Sequence, residues 1–125
     1  MNISERFLKY VSFPTMSNEN SETVPSTDKQ LALGKYLVEE LKSIGVSDVT
    51  LDDKGYLYAS LPANTDSKTT IGLIAHMDTS DACPDSPIMT KTVKYNGEDI
   101  CLNEEKSIYL KRDEYPSLDR YIGNS

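Results

Sequence analysis

The chain has 125 residues, 38% of them hydrophobic and 26% charged, with a formal net charge of −7. That size and apolar content allow one small folded domain, and the acidic balance argues against phosphate backbones and anionic bilayers as partners. No apolar run approaches the ~20 residues that span a bilayer. Glu5 and Lys9 interrupt the N-terminal apolar stretch, so no export signal is expected. Cys83 and Cys101 lack CxxC spacing and are read as reduced thiols, which makes the cytoplasm the expected compartment.

Asn2 is placed to cap a first helix running to about Tyr10, with Glu5 reaching back to complete a capping box. Ile3, Phe7, Leu8 and Val11 form its apolar side. Residues 14–25 are polar and read as a loop. A second helix follows, capped by Ser26 or Thr27, with Asp28 in its first turn and Leu33, Leu37, Leu41 and Ile44 at helical spacing. Gly45 stands where a left-handed residue would end it. Gly34 lies inside it at a cost of about 1 kcal/mol relative to Ala, and close packing on a sheet would be a sufficient reason.

Residues 46–51 and 56–61 alternate like strands around Asp52-Asp53-Lys54-Gly55, a hairpin signal with Gly55 at positive φ. A polar loop then leads into Ile71-Gly72-Leu73-Ile74-Ala75-His76, read as a strand buried on both faces. Residues 81–87 are irregular, and 88–95 read as a strand before an Asn96-Gly97 turn. Short strands are expected at 99–102 and 107–110, and a helix opens at Pro116. The order of elements predicts an α/β sandwich of mixed sheet, whose central strand expects parallel neighbours.

His76 is the single histidine of the chain and ends the apolar run, with Asp78 two residues on and so on the same face of a strand. Ligands of open α/β sheets bind beyond the carboxyl ends of strands. As residues alone, the pair leaves several readings open. One is a partly buried, hydrogen-bonded imidazole without chemistry. Another is a metal ligand whose second ring nitrogen is held by the carboxylate of Asp78. Zinc needs about three or four protein ligands; the further soft donors are Cys83 and Cys101, whose spacing from His76 matches no common zinc module. A Ser-His-Asp arrangement with Ser80 or Ser86 lacks the Gly-x-Ser-x-Gly elbow.

The apolar strand followed by His76-Met77-Asp78-Thr79-Ser80 resembles the first metal-binding motif of the M20 metallopeptidases, which hold two bridged zinc ions. Three further segments resemble the tripeptide aminopeptidases of that family: residues 6–12 their opening helix, 24–27 the start of their second helix, and 54–64 the exit of their hairpin. The resemblance runs nearly end to end. It implies the N-terminal part of a zinc-exopeptidase-like α/β sandwich with mixed sheet, its lid or dimerisation domain absent. Residues 1–125 would form a partial catalytic domain, truncated at its C-terminal end.

The resemblance further implies that His76 ligates one of two Zn²⁺ ions and that Asp78 is the catalytic residue orienting it, with Thr79 and Ser80 shaping the turn. The implied reaction releases the N-terminal residue of a tripeptide by a water held between two metals about 3.5–4 Å apart, with a Glu as general base. The bridging Asp, the Glu-Glu pair and the second His of the family are expected beyond Ser125, since Glu104-Glu105 comes too early. The isolated chain is therefore expected to be inactive. A reading of another class is a non-catalytic module that self-associates through open sheet edges.

Overall fold

The computed structural model describes residues 1–86 and 88–124; Pro87, at the close of the irregular stretch, and Ser125 lie outside the described residues. Helix α1 (Ile3–Val11) opens with the expected capping box, in which Asn2 Oδ1 accepts from Glu5 N–H at 2.8 Å and Glu5 Oε2 accepts from Asn2 N–H at 2.8 Å. Its apolar stripe does not behave as expected. Ile3 is 87% exposed and Phe7 62%, and no residue of α1 is buried. The helix docks instead through its polar-aromatic side: Tyr10 donates to Glu40, Arg6 lies 3.6 Å from the same carboxylate, and Tyr10 and Phe13 pack on Tyr36.

Helix α2 (Gln30–Ser43) starts later than its sequence signals. Thr27 Oγ1 donates to the Met16 carbonyl and Ser26 Oγ accepts from Asn18 N–H, so neither hydroxyl caps the helix. The chain enters through a tightened turn whose amides bond three residues back, from Gln30 to Thr27 and from Leu31 to Asp28. Its end follows the expectation. Gly45 sits at φ +94°, Val46 N–H reaches the Leu41 carbonyl at 3.0 Å and Gly45 N–H reaches Lys42 at 3.0 Å, a Schellman closure. Val46 is then buried, with Leu33, in the small apolar centre of this region.

Strands β1 (Asp48–Leu51) and β2 (Leu57–Ser60) pair antiparallel, with Val49 opposite Ala59 and Leu51 opposite Leu57. Asp52 Oδ1 accepts from Lys54 and Tyr56 N–H at 3.0 and 2.8 Å, and Gly55 takes φ +85°, as the turn sequence predicts. The architecture is α/β, as expected, but the expected central strand is absent. Residues 71–78 pair with no strand, and Ile71, Leu73 and Ile74 are 82, 94 and 101% exposed. A strand buried on both faces needs neighbours at both edges and layers above and below, and the described residues supply none. Parallel pairing is confined, among the described residues, to an isolated bridge between Met16 and Thr79.

Those elements lie in a first compact unit, Met1–Ile88; Met89–Ser125 form a second. Residues 88–95, at the start of the second, are not the expected strand, with Ile88 the last residue of the first unit. Tyr95 is buried instead by a local clasp, its N–H donating to Asn124 and its carbonyl accepting from Gly123. The two expected short strands form, as β3 (Ile100–Asn103) and β4 (Ile108–Leu110), and they pair antiparallel, irregular between Cys101 and Asn103. The final helix, Pro116–Tyr121, is a 3₁₀ helix, tied back by a two-point pairing of Arg112 with Asp119 at 2.6 and 3.1 Å. No described helix is long and apolar enough to cross a membrane.

Burial, the hydrogen bond to Glu40 and that residue's charge push the Tyr10 phenol up to about 12 from 10.0. A proton held more tightly when folded stabilises fully below the unfolded pKa of 10 and is lost as pH rises through 12. Denaturant titrations at increasing pH are therefore expected to show α1 docking weakening between pH 10 and 12. Tyr10→Phe should reduce that alkaline loss, at a cost of about 1–3 kcal/mol at neutral pH from the missing hydrogen bond to a charged group.

Candidate functional site

The two residues singled out from sequence do meet. His76 Nδ1 lies 3.0 Å from Asp78 Oδ1, with the imidazole side chain 84% exposed and the carboxylate 41% exposed. A carboxylate only accepts, so the proton of a neutral ring resides on Nδ1 and the Nε2 lone pair is free towards solvent. This is the arrangement in which a second group fixes the tautomer of a metal-binding imidazole. Ser80 Oγ accepts from Ala82 N–H at 3.1 Å, and the partner the structure gives the His76 ring is Asp78.

What holds the pair is not a sheet. Met77, between the two residues, is partly buried, and its Cε lies 3.7 Å from the point a Gly34 Cβ would occupy. The same point is 3.1 Å and 3.3 Å from the two methyls of Leu51. Gly34 thus leaves room on α2 for β1 and for the residue linking His76 to Asp78. On the other side of Asp78, Thr79 is strapped to the loop after α1: its N–H donates to Thr15 at 3.2 Å, and its carbonyl accepts from Ser17 N–H at 2.9 Å and Ser17 Oγ at 3.1 Å. Thr15 is 3% exposed, so the strap is anchored on a buried residue although Thr79 itself is exposed.

The sequence reading gave Thr79 only a turn and did not single out Asp85. Yet Asp85 Oδ2 accepts from Met16 N–H at 2.8 Å and from Lys29 Nζ at 2.7 Å. Those bonds hold its carboxyl below the ordinary range, Lys29 foremost. A conspicuous signal for it was lacking, because it lies among ordinary loop residues. The glycine inside α2 did carry a signal, its helix cost, and the close approach of Leu51 accounts for that cost.

The residues present do not fit a whole metal site. Among the described residues no three histidine, cysteine or carboxylate side chains gather into a set able to hold a metal ion. Cys83 and Cys101 are free thiols.

No family model matches the chain. Curated proteins do. The chain is 52% identical to a peptidase T of Clostridium acetobutylicum and 50% identical to one of Caldanaerobacter subterraneus subsp. tengcongensis, each over 98% of its own length. The chain is similar to peptidase T. A third peptidase T, from Halothermothrix orenii, is 46% identical over the same share. The chain spans 31% of the length of these relatives, consistent with an N-terminal segment of peptidase T.

The Gly34 contact makes a graded series. Gly34→Ala should be close to neutral, because a helix gain of about 1 kcal/mol offsets the push on the flexible end of Leu51. Gly34→Leu overfills the contact and should cost about 1–3 kcal/mol in urea denaturation. It should also move the ring-nitrogen NMR signals of His76, the single histidine of the chain, by displacing Met77.

Proposed function

We propose that this chain forms part of the catalytic domain of a metallo-aminopeptidase that releases the N-terminal residue of tripeptides. The observation that carries the reading is the 46–52% identity to peptidases T over 98% of the chain. In this reading His76 donates its Nε2 lone pair to one of two zinc ions, and Asp78 acts as the catalytic carboxylate that keeps the proton on Nδ1. The remaining ligands and the general base come from outside these residues. Zinc is the proposed metal because a neutral imidazole held by a carboxylate suits it. Free Cys83 and Cys101 agree with a reducing compartment, and the cytoplasm is the proposed location.

The chain by itself is proposed to be inactive, since a single imidazole arm falls short of the three or so protein ligands of a catalytic zinc. The rival reading, a self-associating module without catalysis, draws on the open edges of the two-stranded sheets and on the exposed 71–75 run. The peptidase names of the relatives speak against preferring it.

Replacing the matching segment of the Clostridium acetobutylicum relative with this chain tests the proposal. The chimera is expected to hydrolyse tripeptides in the presence of Zn²⁺, whereas the 125-residue chain alone shows no turnover. Within the chimera, His76→Ala should abolish measurable turnover together with one bound zinc, and Asp78→Asn should reduce metal affinity or activity about 10–100-fold. A His76→Ala chimera with full activity and full zinc content would remove His76 from the site.

A further inference from the structure

Between the end of β2 at Ser60 and Thr79 the chain pairs with no other strand, and residues 61–76 are exposed throughout. Apart from the packing of Met77 at Gly34, the position of His76 and Asp78 therefore depends on the first hydrogen-bonded point after them. That point is Thr79, clasped on both its amide and its carbonyl by Thr15 and Ser17. The clasp itself is a loop segment without helix or strand partners, so something must hold it in turn.

Two contacts do so. Thr27 Oγ1 donates to the Met16 carbonyl at 2.9 Å, and Asp85 accepts from the Met16 amide at 2.8 Å. Asp85 also binds Lys29 Nζ at 2.7 Å, at the entrance to α2, with only 9% of its side chain exposed. One carboxylate thus ties three separated segments together: the strap at Met16, the start of α2, and the chain that leaves the His76–Asp78 turn. Charge-assisted bonds of this kind are shorter and roughly twice as strong as neutral ones, and the Asp85 side chain is largely shielded from water, while that of Lys29 stays about a third exposed.

We propose that Asp85 is a positioning residue: through Lys29 and the Met16 strap it fixes Thr79, and thereby the geometry of the His76–Asp78 pair. This deepens the reading of His76 as a ligand arm and rests on it for its meaning, but not for its test. The claim concerns a conformational lock, which exists in the metal-free chain. Asp78 sets the tautomer of His76 directly; Asp85 sets where Asp78 can be.

The test uses the metal-free, ¹⁵N-labelled chain, in which a single histidine gives unambiguous ring-nitrogen signals. Amide hydrogen exchange reads the strap, and the Nδ1 and Nε2 shifts of the neutral ring read the tautomer. Asp85→Ala is expected to speed exchange at Thr79 and Ser17 about 10-fold or more while α1 and α2 keep their protection. The ring signals should shift towards the Nε2–H tautomer, in the direction set by Asp78→Asn as reference. Unchanged ring signals overturn the proposal, whether the strap opens or stays closed. If Asp85→Ala loses the protection of both helices, Lys29→Met weakens the same node and is judged by the same two signals. Loss of zinc from the His76→Ala chimera bears on the ligand reading and leaves this outcome untouched, so the two ideas fail separately.

Discussion

The first compact unit is organised around a bare patch on α2. Gly34 carries no side chain, and into that gap come the methyls of Leu51 from β1 and the end of Met77. Further along the helix, Tyr36 and Glu40 receive α1 and the residues just after it through Tyr10, Arg6 and Phe13. The hairpin, the first helix and the His76 segment therefore all refer their positions to one helix. The helix in turn gives up about 1 kcal/mol of intrinsic propensity at Gly34. Because the apolar centre is small, with Leu33 and Val46 as its buried members, polar bonds at the edges matter more here than in a larger core.

This division of labour explains why the candidate site is held so unlike a strand-end site. In an open α/β sheet the pleat itself aims alternate side chains, and pairing on both edges fixes the strand. Here the alternation survives without the pairing. Met77 turns to α2, while His76 and Asp78 meet at 3.0 Å and leave Nε2 facing solvent. Rigidity comes instead from Thr79, one residue later, and from the side chains that hold the loop to which it is bonded. The chemistry is local, and its support is drawn from residues more than sixty positions away in sequence.

The legible parts of this chain were those set by short-range rules. The Asn2–Glu5 capping box, the Gly45 closure of α2, the Asp52–Gly55 turn and the short strands β3 and β4 each depend on a few neighbouring residues, and each is present. So is the His76–Asp78 contact, which needs only a spacing of two. The misread parts depended on what a segment meets. The stripe of Ile3 and Phe7 implied a buried face, and residues 71–76 and 88–95 implied strands, but periodicity predicts a partner without supplying one. Thr27 illustrates a further limit: a good capping residue was diverted by a carbonyl eleven positions earlier. Asp85 was invisible for the same reason, because its partners, Met16 and Lys29, lie 69 and 56 residues away.

The exposed run from Ile71 to Ala75 carries no charge, and its three large aliphatic side chains face solvent almost completely. Such a stretch is a template for any extended segment that reaches it. Which segment wins is a matter of local concentration more than of fit. A strand tethered through a short flexible link acts at about a millimolar effective concentration. A free copy present at about a micromolar is then at a disadvantage of roughly a thousandfold, or about 4 kcal/mol. The segment that carries His76 is thus biased towards whatever is joined to it, and an encounter between separate molecules prevails only when that tethered competitor is missing or late.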